Sequence, residues 1–257
     1  QMCIRDRNST VRKAVSGRMK QRMLMRAKQA DVIITSSGRV LEDGHRGFVE
    51  WLAHHGLEGS VVENRPLPPF ADEKKPPENG WTVGYIGRVR DIRSFELLVE
   101  AVKTIPAFER PKLRVAGDGT AASKVRTLLM SEVEAGTIEA EVSGAFSQSE
   151  LPELLQSVDV MYAMYSPQRG NVLQGALPVK VFDAASGGVP SVVNAGCLMA
   201  DVVVSENIGA HAPWGDAESV GQALRSLRDT VAELAATGER EHQRWLSAMN
   251  PVLEVLQ

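Results

Sequence analysis

The chain has 257 residues, 43% of them apolar and 24% charged, with a formal net charge of −3. That length suits one large or two modest domains, and the charge gives no global attraction to nucleic acid or to an anionic membrane. The two cysteines, Cys3 and Cys197, show no CxxC or Cys/His spacing, which argues against a zinc motif or a disulfide framework and suits a reducing compartment. No apolar run approaches the ~20 residues that span a bilayer, and no signal-peptide pattern opens the chain. The expected location is cytoplasmic.

The opening QMCIRDR, residues 1–7, has no helix start, strand pattern or targeting logic and is set aside as an artefact. From Asn8 to Ala30 there is no acidic residue, whereas Arg12, Lys13, Arg18, Lys20, Arg22, Arg26 and Lys28 are all basic. Val11, Val15 and Met19 recur at helical spacing, so 10–29 reads as a basic amphipathic helix. Such a helix either rests on anionic lipid or is a solvated face. Next come a short strand from Asp31 to Thr35, a helix through Phe48, Trp51 and Leu52, and a strand ending at Asn64. His54 and His55 on that helix have no evident partner and read as surface residues.

The segment PLPPFADEKKPPENG has five prolines, which block helix and sheet ladders alike, so 67–80 reads as a linker. Beyond it, strands alternate with helices: WTVGYIG, then SFELLVEAVKTI; KLRVAG, then a helix through Val125 and Leu129; IEAEVSG, then SQSELPELLQSV; DVMYAM, then PVKVFDAAS; PSVVNA, then CLMADVVVS; IGAHA, then Glu218 to Leu227. Ser147 and Glu150 have the spacing of a capping box. Alternation of this kind demands right-handed crossovers onto a parallel sheet with helices on both faces. The expected organisation is a partial Rossmann-like domain over 1–66, the linker, a Rossmann-like domain over 81–240, and a terminal helix over 241–257.

In such a sheet, ligands bind beyond the carboxyl ends of the strands. After the first strand comes GRVRDIRS, with Gly87, Arg88, Arg90 and Arg93. Arg88 and Arg93 either converge on a diphosphate, which the guanidinium fork matches, or belong to a solvated basic loop. AGDGT supplies Gly117 and Gly119, which permit a tight turn near a ligand or an ordinary turn. The stretch YSPQRGNVLQGALPVKVFDAASGGVP leads into a helix start near Pro178, a natural anion site. On that helix Asp183 either accepts hydrogen bonds from a ribose or pairs with Lys180.

The order of these pieces resembles glycosyltransferase family 4: GR with a second cation five residues on, LRVAGDG, VSGAFSQSELPELLQSVDV, ALPVKVFDAASGGVPSVV, and IGAHAPWGDAESVGQAL. The resemblance covers about residues 80–230 and, more loosely, 31–64. It implies a GT-B fold of two Rossmann-like domains, the C-terminal one holding a nucleotide-sugar donor. It also implies transfer of a sugar to a glycan or lipid-linked acceptor with retention of configuration and without a metal. Carried over, Arg88 and Arg93 are the catalytic pair that neutralises the donor diphosphate, with Arg93 where the family usually has lysine. Gly87, Gly117 and Gly119 line the donor pocket, and Gly144 to Phe146 meets the base. Leu177 and Pro178 face phosphate and sugar, Lys180 lies beside them, and Asp183 holds the ribose. Gly175 stands where the family's Glu-x7-Glu motif has its first glutamate, a departure that weakens the case for catalysis and leaves an inactive nucleotide-binding or interaction module as the alternative reading. ALPVKVFD is closest to a sub-branch with a NALPNKLFE-like segment. Family habit favours UDP as the nucleotide, and no nucleic-acid partner is expected. A whole acceptor domain needs roughly 100–200 residues, whereas only residues 1–66 precede the linker. The expectation is nucleotide binding with little or no transfer.

Overall fold

A computed structural model of the chain describes residues 9–41, 44–65, 74, 77, 80–168, 172, 175–228, 243, 246–247, 249–250 and 252–256. Expectations for the opening 1–7, most of the linker and the reach of the terminal helix around Trp245 fall outside these. The described residues among 243–255 are helical.

The N-terminal part opens with helix α1 (Ser9–Ala27). Strand β1 (Ile34–Thr35) pairs in parallel with β4 (Ser60–Val61). Between them lie an antiparallel pair, β2 (Arg39–Leu41) with β3 (Gly44–Arg46), and helix α2 (Phe48–Ala53). The hairpin goes beyond the sequence reading: three-residue strands are too short to display an alternation. From Gly17 onward α1 packs little of itself, and Met19, Met23 and Met25 are exposed. Where it can be followed, then, its apolar stripe is not buried by the rest of the chain.

The larger part is a six-stranded parallel sheet. In chain order it comprises β5 (Thr82–Ile86), α3 (Ile92–Thr104), β6 (Lys112–Ala116), α4 (Ala122–Glu134), β7 (Glu139–Ser143), α5 (Leu151–Gln156), β8 (Val160–Ala163), α6 (Val179–Ser186), β9 (Ser191–Asn194), α7 (Leu198–Ser205), β10 (Gly209–Ala212) and α8 (Ala217–Arg228). The strand order is β10-β9-β8-β5-β6-β7, so the chain winds outward from β5 one way and then crosses to β8 to wind the other. Alternation along the strands assigns the faces. Val83, Tyr85, Leu113, Val115, Val160, Tyr162 and Val192 join Phe95, Leu98, Val125, Leu129 and Leu224 of α3, α4 and α8 in one core. Ile86, Ala116 and Met161 turn to α5, and Ala163 and Val193 to α6 and α7. Helices cover both faces, which is why the central strands β5, β8 and β9 read as near-continuous apolar runs, whereas the edge strand β7 alternates.

Local signals explain several boundaries. The capping box of Ser147 and Glu150 is formed, opening a short 3-10 turn (Gln148–Glu150) before α5. Asp216 caps α8 by accepting from the Ser219 N–H at 3.0 Å. The valines of α7 do not prevent a helix, because Val202 and Val203 are buried against the sheet and packing outweighs their weak propensity. Within the linker, Lys74 is buried and donates to the Gln156 carbonyl at 2.6 Å, with Asp159 at 3.4 Å. Asp159 in turn accepts from the Thr82 N–H, so this point of the linker is pinned beneath the starts of β5 and β8.

Candidate functional site

The winding reverses between β5 and β8, and a doubly wound sheet opens a crevice at that point. A cleft of about 410 Å³ lies there, at the strand ends, within the range that holds a small ligand. Its walls include Tyr85 and Ile86 of β5 and Gly87 just after it, Met161 of β8 and Tyr165 two residues past it, Phe146 and Gln148 before α5, and Pro178 capping α6 with Val179, Lys180 and Asp183 on it. Arg88 and Arg90 reach it from the loop after β5.

Not all the candidate residues play the same part. Gly87, Arg88, Phe146, Pro178, Lys180 and Asp183 line the cleft, whereas Arg93, Gly117, Gly119, Gly144 and Leu177 are not in its wall. Arg93 is exposed on the first turn of α3, and its N–H meets the capping carboxylate of Asp91 at 3.1 Å. Gly117 and Gly119 support the arginine loop from behind. At Gly117, with φ of 145°, a β-carbon would lie 1.9 Å from the Gly87 carbonyl oxygen; at Gly119, one would lie 2.1 Å from that of Val89. Hydrogen bonds close this contact: Gly87 N–H to Ala116 C=O at 2.9 Å, Val89 N–H to Asp118 C=O at 3.0 Å, and Gly117 N–H to Gly144 C=O at 2.9 Å. Three of the glycines thus form a backbone stack that holds Arg88 and Arg90 at the mouth.

Lys180 sits deeper. Its Nζ lies 3.3 Å from the centroid of the Tyr85 ring and 5.6 Å from that of Tyr165, so aromatic faces shelter the cation. The Tyr85 hydroxyl donates to the Arg88 carbonyl at 2.8 Å, tying the lysine shelter to the arginine loop. Tyr165 is fixed by Asn194 of β9, whose amide accepts from the Tyr165 N–H at 2.8 Å and donates to its carbonyl at 2.9 Å. Asp183 faces the same cleft half-buried, and burial pushes its carboxyl up to about 6. Lys180 and Asp183 lie one helical turn apart on α6, and both line the cleft.

Tyr85, Arg90, Tyr165 and Asn194 were missed by sequence reasoning. Arg90 was in view inside GRVRDIRS, but spacing alone does not tell which arginine turns inward. Tyr85 occupies a strand position that ordinarily reads as core, and Tyr165 follows β8 by two residues.

The cleft thus gathers three cations around a space at a switch point, with one perturbed carboxyl on the same helix as Lys180. Matching of the chain to a family model, "Glycosyl transferases group 1", extends over residues 80–230, more than half its length. The chain belongs to the group 1 glycosyl transferases. No curated protein matches it in sequence. Solved structures place this glycosyl transferase chain among GT-B folds. HepE from Anabaena, solved with UDP, aligns at 15% identity with a TM-score of 0.64, over 88% of this chain and 64% of its own. Sucrose-phosphate synthase from Thermosynechococcus elongatus aligns at 16% with a TM-score of 0.63, over 92% and 61%. WaaG, a glycosyltransferase involved in lipopolysaccharide biosynthesis, aligns at 13% with a TM-score of 0.60, over 86% and 61%. At such identities the likeness establishes the fold, and this chain spans less than two thirds of the length of each of these three. Among the described residues of the glycosyl transferase, no His, Cys, Asp and Glu cluster is arranged to hold a metal. No described helix is long and apolar enough to cross a membrane.

Proposed function

We propose that the cleft between β5 and β8 is the donor site of a retaining glycosyltransferase of family 4, binding a nucleotide sugar, with UDP as its nucleotide. The reading is carried by one observation: Arg88 and Arg90, from the loop after β5, line the same cleft as Lys180 and the half-buried Asp183 of α6. Fixed cations suit a diphosphate leaving group, because they stabilise charge that develops as the glycosidic bond breaks and need no reorganisation at that moment. In this reading Arg88 and Arg93 neutralise the diphosphate without a metal, Arg93 by turning its long side chain from the start of α3. Loss of either costs on the order of 2–4 kcal/mol of transition-state stabilisation. Lys180 adds a third positive charge, Asp183 accepts from the ribose, and Phe146 meets the base. Gly117, Gly119, Gly144, Leu177 and Pro178 shape the backbone around the donor. The acceptor is a glycan or a lipid-linked glycan in polysaccharide biosynthesis, on the cytoplasmic side of a membrane.

Calorimetric titration of UDP, GDP and ADP into the chain and into Arg88→Ala tests the donor site. Saturable UDP binding, weakened at least tenfold by the substitution (about 1.4 kcal/mol), is the expected result. A folded chain that binds none of the three refutes the donor-site reading.

We also propose that α1 contacts anionic lipid through Arg18, Lys20, Arg22 and Arg26, which are exposed together with Met19, Met23 and Met25. Each basic residue near such a surface contributes about 1 kcal/mol. The chain should co-sediment with phosphatidylglycerol vesicles and not with phosphatidylcholine ones. Equal behaviour on both vesicles retires the membrane contact.

A further inference from the structure

Arg65 follows β4, outside the six-stranded sheet, yet its side chain is only 3% exposed. Its Nη2 lies 2.9 Å from both carboxylate oxygens of Glu206, the residue that ends α7. Its Nε donates to Glu63 Oε2 at 2.8 Å. The flat of the guanidinium rests on the Phe182 ring, 4.3 Å from its centroid. Phe182 is fully buried in α6, directly between Val181 and Asp183 and two residues beyond Lys180. One side chain therefore grips both helices that follow β8 and β9, reaching Glu206 from 141 residues away in the chain.

A second contact acts on the same element. The loop leading into α6 meets the N-terminal part at Gly175, where a β-carbon would lie 2.4 Å from the Gly47 Cα. Gly47 in turn opens α2, and a β-carbon there would lie 2.7 Å from Leu198 Cδ2 of α7. The approach to α6 and its buried face are thus both held by residues that precede the linker.

Stability alone is a poor reason for such a trio. Buried ion pairs often contribute no more than apolar groups of the same shape, because desolvation offsets the attraction. Their strength is geometric, since a guanidinium fork and a flat stacking surface fix orientation as well as distance. The group whose orientation is fixed here is α6, and α6 carries Lys180 and Asp183 into the cleft.

We propose that Arg65 is a positioning residue for the nucleotide cleft, setting the pose of α6 through Phe182 and Glu206 and thereby the placement of Lys180 and Asp183. The inference rests on the donor-site reading of the cleft. Arg65 itself touches no ligand.

The test uses the full chain and three variants. Arg65→Lys keeps the charge and loses the fork and the stacking plane. A triple variant, Arg65→Met with Glu63→Gln and Glu206→Gln, removes the trio without stranding a buried charge. Lys74→Met breaks an unrelated buried pair, with Asp159, and controls for general destabilisation. Two quantities are measured at a temperature where circular dichroism reports every variant folded: amide hydrogen exchange without ligand, and UDP affinity by calorimetry. Both Arg65 variants should speed exchange at the α6 amides of 182–186 at least tenfold relative to those of β6, and weaken UDP at least fivefold. Lys74→Met should do neither. Unchanged α6 exchange in the folded Arg65 variants overturns the proposal, and so does faster exchange with unchanged UDP affinity. Failure of the unsubstituted chain to bind UDP instead sinks the donor-site reading, and the exchange arm still decides whether Arg65 holds α6.

Discussion

At the scale of single residues, Asp183 is the most informative group, because burial works against its charged form. Its carboxyl rises from 3.8 to about 6 on folding, so the folded chain takes up a proton that the unfolded chain has already lost. The cost to stability is absent below the unfolded value, grows as pH rises between the two, and is complete above the folded one. Hydrogen bonds donated by a ribose favour the carboxylate, so nucleotide binding should strengthen as pH rises through that same upper value. The terminal phosphate of UDP also titrates near pH ~6, and Asp183→Asn removes only the protein's share. Between pH 7 and pH 5 the unsubstituted chain should lose about tenfold more UDP affinity than Asp183→Asn, one pH unit below a pKa being worth a factor of about ten. Parallel losses in the two proteins would assign the whole pH dependence to the ligand. Sequence alone reached Asp183 as a candidate but left it between a ribose partner and a lysine partner. The fold adds what spacing does not carry: Lys180 lies against the Tyr85 ring, and Asp183 lines the same cleft.

At the scale of elements, what sequence reveals depends on how much of an element's environment is local. The β5-to-α8 succession is legible because the central strands β5, β8 and β9 are almost wholly buried and helices such as α3 carry their own apolar stripe. Phe95, Leu98 and Val102 on α3 are where periodicity puts them, and all are buried. The glycines are less legible. Gly117 and Gly144 look alike in sequence, in two loops that follow neighbouring strands. At Gly117 the backbone has positive φ and a β-carbon would overlap the Gly87 carbonyl, whereas at Gly144 nothing lies within 4 Å of one. Gly117→Ala should therefore cost on the order of 3 kcal/mol, from left-handed backbone strain together with overpacking, and should shift the loop that carries Arg88. Gly144→Ala should be close to neutral. Urea denaturation of the two variants measures the difference, and equal costs would mean that the β5 and β6 loops are not in backbone contact.

At the scale of the whole molecule, the question is whether the part before the linker is a separate unit. Its own sheets are two two-stranded pairs, β1 with β4 through two residues each and β2 with β3 through three. That is far below what folds alone in water. What holds it is shared with the larger part: the Arg65 guanidinium between Glu63 and Glu206, the Gly47–Gly175 backbone contact, and Leu198 against Gly47. These long-range contacts are invisible to periodicity, because an arginine after a short strand reads as a solvated charge until its partner is known. If they provide most of the stability of β1, β4 and α2, those elements cannot survive once the six-stranded sheet melts. Thermal unfolding should then be one cooperative transition. Far-UV circular dichroism is dominated by the larger part, whereas fluorescence from a variant retaining Trp51 as its only tryptophan reports on α2. The two midpoints should coincide, and in Arg65→Lys the fluorescence midpoint should fall first. An α2 signal that melts well below the sheet in the unsubstituted chain would mean that the Arg65 trio holds too weakly to couple the parts, and α6 would then need another support.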